Sequence, residues 1–195
     1  MFQALDVTAF RWINSGLSNP VFDVLLPIFN GFRFFIPAVI LLGAFLIWKG
    51  GYKAKAYLIC LIIAISLTDG VVCRGLKKAI GRPRPFSTLE NVNLLAGRGL
   101  SGSMPSAHAA NSAAVMVVTA LFYRRRWRLM AGLTATVGVA RIYSGVHYPS
   151  DVLVGWGLGL LVGWGTVIGA QRIWRILIKG TSRNSNSYQR NRHKK

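Results

Sequence analysis

The chain has 195 residues, 52% of them hydrophobic, with a mean hydropathy of +0.41 and only 15% charged. Ordinary soluble domains carry roughly 25% charged residues, so this balance excludes a typical soluble domain and points to a single membrane domain. The formal net charge of +19 does not mark a nucleic-acid binder either, because the cations gather in short clusters between the apolar runs and in the tail.

In chain order, Ala4 to Asn14 places Leu5, Phe10 and Ile13 among Asp6, Arg11 and Asn14. That pattern predicts an amphipathic interfacial helix or the start of an imperfect first span. Pro20 to Asn30 continues it, interrupted by Pro27. No basic n-region followed by a long apolar stretch opens the chain, so no cleavable leader is expected. Clear spans are predicted at about Phe32–Trp48, Tyr57–Val72, Ser106–Tyr123, Leu129–Gly145 and Asp151–Trp174, each near the length that crosses a bilayer core of about 30 Å. The expected fold is all-α, a polytopic membrane bundle of about six transmembrane helices with the first short or interfacial. The expected divisions are an N-terminal element (1–31), a membrane core carrying the outer loops (32–178) and a disordered basic tail (179–195). Cys60 and Cys73 fall in one predicted helix, about 20 Å apart at helical rise, too far for a disulfide. Asp69, near the end of that helix, is expected to pair with Arg74.

Lys49, Lys53 and Lys55 share one loop, Arg124, Arg125, Arg126 and Arg128 another, and the tail is basic. All three clusters suit the cytoplasmic side, and Trp48, Trp127 and Trp174 at the adjoining ends suit an aromatic belt. Alternating the spans then puts Lys77 to Pro105 and the Gly145 to Pro149 turn outside. The first of these carries Lys77, Lys78, Arg82, Arg84 and Arg98, against the topology preference. A fixed anion is the simplest reason for cations there.

Three segments on that face carry chemistry: "KKAIGRPRP" (Lys77 to Pro85), "SMPSAH" (Ser103 to His108) and "ARIYSGVHYPSD" (Ala140 to Asp151). Lysine and the planar fork of arginine suit phosphate oxygens. Ser106 and Ala107 follow Pro105 at a predicted helix start, where unpaired N–H groups and the dipole favour an anion. Pro149 starts the last helix, so Asp151 in its first turn can hold one nitrogen of His147 and leave the other to attack. His108 can protonate a leaving oxygen. Taken singly, each residue has a structural reading: Asp151 as a dipole partner, His108 as a satisfied helix-end side chain, Lys77 and Lys78 as snorkelling cations. All of them coinciding on one face favours a phosphate site.

These segments resemble the signature of the type 2 phosphatidic acid phosphatase family, whose phosphate site is shared with vanadium haloperoxidases. Lys-x6-Arg-Pro matches Lys77, Arg84 and Pro85; ending the motif at Arg82-Pro83 would put Gly75 at the lysine position. Pro-Ser-Gly-His appears as Pro105, Ser106, Ala107 and His108, and Ser-Arg-x5-His-x3-Asp as Ala140, Arg141, His147 and Asp151. Ala107 in place of glycine keeps the amide, whereas Ala140 in place of serine loses a hydroxyl. The resemblance implies that His147 attacks phosphorus to form a phosphohistidine, Asp151 orients it, and His108 is the acid. Lys77, Arg84, Ser106, Ala107 and Arg141 would hold the phosphate, with no metal and no cofactor. It implies a bacterial inner-membrane lipid phosphatase with an outward-facing site and a cytoplasmic C-terminus. The substrate would be undecaprenyl diphosphate, phosphatidylglycerophosphate, phosphatidate or a lipid A phosphate. A phosphotransferase using the same site, or a non-catalytic transporter or scaffold, are the alternatives. The implied partners are a lipid phosphate and the bilayer, not nucleic acid.

Overall fold

The computed structural model describes residues 2–31 and 36–192, with side chains for 3–31 and 36–176. The predicted start of a span at Phe32, and the side chains of the basic tail from 179, lie outside the described residues. Among those described there is no strand. The order is α1 (Phe2–Arg11), a π turn (Trp12–Gly16), α2 (Pro20–Ile28), α3 (Ile36–Lys49) and α4 (Tyr52–Ile65). A second π stretch (Ser66–Cys73) joins α4 to α5 (Arg74–Ile80), followed by the short α6 (Pro85–Thr88), α7 (Ala107–Phe122), α8 (Trp127–Tyr143) and α9 (Pro149–Arg192). The backbone of α9 stays helical beyond residue 179, where the apolar pattern stops.

Two of these segments, Tyr52–Thr88 and Pro149–Ile176, are long and apolar enough to cross a membrane, and Ile36–Lys49 and Ala107–Phe122 are shorter apolar helices. The outer surface supports the same reading. None of α3 is buried, and Val39, Leu41, Phe45 and Ile47 all face outward. A protein in water rarely exposes so continuous an apolar surface; hydrocarbon covers it at no cost.

Helices α7 and α9 form the centre of the bundle. Their contact is made by small residues: Gly155, Gly159 and Gly163, one every four residues, face buried Ala109, Ala110, Ala113 and Ala114. Without a hydrophobic driving force between helices in lipid, close backbone approach and packing hold them together. A Cβ on Gly159 would fall inside the Ala110 carbonyl. Gly159→Leu should therefore lower the melting temperature in detergent, and turnover with it, since overpacking costs about 1–3 kcal/mol. Gly157→Leu, whose added Cβ meets open space, should change neither. Equal behaviour of the two variants would remove the interface from the account.

The N-terminal element departs from expectation in a telling way. Asp6, Phe10 and Asn14, spaced four apart, are buried, while Leu5 and Trp12 point outward. The face turned to the protein is thus partly polar, while the exposed face mixes Leu5 and Trp12 with Gln3, Thr8 and Arg11. Asn14 Nδ2 donates to the carbonyls of Asn93 (2.8 Å) and Tyr143 (2.6 Å), and its Oδ1 accepts from Asn93 N–H. Phe10 packs in a core with Ala109, Ile142, Tyr148 and Val152, directly behind the segment carrying His147. Asn19 caps α2, accepting from the N–H groups of Val21 and Phe22.

The two basic loops meet at one end of the bundle. Lys53 Nζ lies 5.0 Å above the Tyr123 ring, and Tyr52 packs on Trp174 at 5.0 Å between ring centroids. Both cysteines are buried and free.

Candidate active site

The three predicted segments converge at the other end. The turn after α8 makes this possible: Gly145 takes a left-handed φ of +78°, which glycine adopts without a Cβ penalty. The chain then reverses into His147 and enters α9 at Pro149. His147 and Asp151 are both buried, 1% and 0% exposed. Nδ1 of His147 stands 3.5 Å from Asp151 Oδ2, which also accepts the Tyr148 N–H at 2.9 Å. The imidazole thus turns its Nδ1 edge to the carboxylate and leaves Nε2 for a substrate.

Burial pushes the His147 imidazole down to about 4, against the pull of Asp151 and helped by the charges of Arg141 and Arg84. At neutral pH the ring is unprotonated, the form a nucleophile needs.

Ser106 caps α7 without using its hydroxyl. Its N–H donates to the Asp151 carbonyl at 3.0 Å, so the two helix starts are tied backbone to backbone. This corrects one expectation: the Ser106 amide is engaged, and its contribution to an anion falls to Oγ. Ala107 is the first residue of α7 and His108 the second, with a backbone hydrogen bond linking the His108 imidazole to Asn30.

Arg84 is 7% exposed and clamped by carbonyls: Nε donates to Ser101 at 2.9 Å and Nη1 to Val146 at 3.2 Å. Arg141 donates through Nη1 to Asn30 Oδ1 at 3.1 Å, and Asn30 Nδ2 donates to Ser144 Oγ. Lys77, Arg84, Arg141, His108 and His147 lie within range of one another's charge. Like charges assembled this closely need a counter-anion. Moreover, among the described residues five buried side-chain polar atoms lack a hydrogen-bond partner, and three of them are Ser106 Oγ, Arg141 Nε and His147 Nδ1. Unpaired buried donors are costly. Here Ser106 Oγ and Arg141 Nε stand where an oxyanion would satisfy them, while Nδ1 of His147 faces the Asp151 carboxylate.

The structure adds residues that the sequence reading passed over. Arg82, set aside with the competing motif register, donates from Nη1 to Asp151 Oδ1 (2.7 Å) and Ser150 Oγ (2.7 Å), and from Nη2 to Asp6 Oδ2 (2.6 Å). Its guanidinium also lies 4.2 Å from the centre of the Tyr148 ring. Asp6 in turn accepts from the Ser150 N–H and hydroxyl. A signal for Asp6 existed: an acid inside an apolar helix needs a partner. Asn30, which holds Arg141, carried none. Asp69 and Arg74 form no salt bridge, contrary to expectation; among the described residues Arg82 and His147 make the ion-pair contacts, to Asp6 and Asp151.

The chain as a whole is similar to known proteins. The PAP2 superfamily model matches residues 54–175. The chain is 32% identical over 165 residues to the bacitracin transport permease protein BcrC of Bacillus licheniformis, covering 82% of this chain and 78% of that protein. It is 30% identical to the lipid A 4'-phosphatase of Bacteroides thetaiotaomicron, covering 82% and 74%. Among solved structures, Aquifex aeolicus LpxE superposes with a TM-score of 0.69 at 30% identity, covering 84% of this chain and 94% of that one.

Proposed function

The chain belongs to the PAP2 superfamily, and from that premise we propose that it is an integral membrane lipid phosphatase working through a phosphohistidine on His147. The observation that carries the reading is the gathering of Lys77, Arg84, Arg141, His108 and His147 within mutual charge range, with unpartnered buried Ser106 Oγ and Arg141 Nε among them. Nε2 of His147 attacks the phosphorus, the P–O bond to the lipid breaks, and its electron pair leaves on oxygen, which His108 protonates. Water then cleaves the N–P bond, with His108 taking its proton, and inorganic phosphate departs. Lys77, Arg84, Arg141, Ser106 Oγ and the Ala107 amide hold the equatorial oxygens. By analogy with oxyanion-hole donors, each contact contributes about 2.7–4 kcal/mol to the transition state.

Asp151 fixes the imidazole with Nδ1 as the N–H nitrogen. The depressed basicity of His147 keeps Nε2 free of a proton for the attack.

For topology, we place the end with the Lys53 and Arg124–Arg128 loops in the cytoplasm and the site at the outer leaflet of a bacterial inner membrane, with about six spans in all. The substrate carries its phosphate or diphosphate on an apolar tail that stays in the bilayer. One relative is named for transport, but unpartnered buried donors around a histidine–carboxylate pair favour chemistry over passage.

The test is phosphate release by the purified chain from detergent-dispersed lipid phosphates, with a soluble sugar phosphate as control. Release from lipids, inhibition by vanadate and indifference to EDTA are expected. Release from the sugar phosphate alone, or none from any lipid, would overturn the proposal.

A further inference from the structure

Beside the phosphate cradle lies a cavity of about 430 Å³, lined among others by Asp69, Arg74, Lys77, Lys78, Ser101 and Gly102. Two of these belong to both places. Lys77 feels the charges of Arg84 and Arg141, and the Ser101 carbonyl holds Arg84 Nε at 2.9 Å. The cavity is thus a continuation of the cradle along α5.

Its charge exceeds what one phosphoryl group requires. Lys77, Arg84 and Arg141 already face the reacting phosphate. Arg74 and Lys78 add two cations one helical turn apart, opposed only by Asp69, and no salt bridge joins any of the three. Both are exposed at the cavity mouth, within reach of a headgroup.

We propose that this cavity is a subsite for a second anionic group on the substrate, so that the preferred lipid carries two phosphates: a diphosphate, or a phosphomonoester on a phosphodiester headgroup. The proposal rests on the lipid phosphatase reading and narrows its substrate class. In a diphosphate the second phosphate is also the leaving group. Arg74 and Lys78 would then meet the charge that appears on it as the bridging P–O bond breaks.

The test uses two pairs of lipids in the same detergent: a polyprenyl diphosphate against its monophosphate, and phosphatidylglycerophosphate against phosphatidate. The native chain should favour the two-phosphate member of at least one pair, and the preferred pair identifies the source. The double variant Arg74→Gln/Lys78→Gln should lose about 10- to 100-fold in kcat/KM on that member, the effect of one or two charged contacts, and stay within about twofold on its one-phosphate partner. An equal loss on both would mean that the cations only attract an anionic surface, and no loss would mean that they snorkel; either overturns the subsite.

A binding measurement decides the matter without turnover. Inorganic pyrophosphate should protect the native chain from heat at lower concentration than orthophosphate, and the double variant should lose that preference. A native chain that shows no preference has no subsite, whether or not it hydrolyses lipids. A chain that prefers pyrophosphate but releases no phosphate keeps the subsite and loses the phosphatase reading.

Discussion

A His147→Asn variant is expected to melt near the native temperature and to release phosphate about 10⁴-fold more slowly, the scale on which removing one member of a nucleophile–base–orienter set acts. Asparagine is the informative choice. Its amide nitrogen can still face Asp151 Oδ2, now 3.5 Å from the imidazole, so the buried carboxylate keeps a donor. The proposed phosphate cradle of Lys77, Arg84 and Arg141 is left intact by this substitution, and the variant should still bind phosphate or vanadate. Loss of turnover with retained anion binding separates a nucleophile from a mere ligand. Turnover within about tenfold of native would deny His147 its role, because no positioned base recovers a missing nucleophile.

The second large effect is expected at Arg82, which occupies one of the unspecified positions between Lys77 and Arg84 of the motif. Its guanidinium bridges two carboxylates, at 2.6 Å to Asp6 and 2.7 Å to Asp151, whose side chains are 5% and 0% exposed. Arg82→Ala leaves both without their counter-charge. Removing one partner from such a buried pair costs about 3–5 kcal/mol, and Asp151 is then free to turn from His147 toward another donor. A melting temperature lowered by many degrees and a fall in kcat are expected together. Two further variants divide the roles. Asp6→Asn breaks only the tie to α1 and leaves the Arg82–Asp151 pair, so it should weaken stability more than kcat. Arg82→Lys has one point charge for two carboxylates and should restore part of each. If Arg82→Ala keeps native kcat when assayed below its melting temperature, Asp151 needs no such support.

These two residues also mark the limit of what the sequence disclosed. The motif segments were legible because each is short: Lys77 to Arg84 runs off the end of α5, Pro105 to His108 enters α7, and Arg141 to Asp151 crosses the turn from α8 to α9. Local rules of capping and helix start act within each of them. Arg82 looked like a discarded alternative to Arg84, one dipeptide earlier. Its function depends on Asp6, 76 positions away in sequence, and no local pattern encodes that contact. Asn30 is similar: it reaches Arg141 across 111 positions.

The helices after residue 36 followed from their apolar runs, and two segments, Tyr52–Thr88 and Pro149–Ile176, have the length and composition to cross a membrane. The first element did not follow from such a run. Its polar residues, Asp6 and Asn14, turn toward the protein, where they find partners that lipid cannot supply. The π stretch Ser66–Cys73 was equally hidden, since its residues keep a helical composition while the hydrogen-bond register widens.

The most direct test of the account is to mix the purified chain with a lipid carrying a labelled terminal phosphate and stop the reaction within milliseconds in alkali, where an N-phosphoryl bond survives. Peptide mapping should find the label on His147 alone, appearing before free phosphate and absent from His147→Asn. Label on another residue, or free phosphate released with no labelled peptide ahead of it, would contradict the nucleophile assigned here.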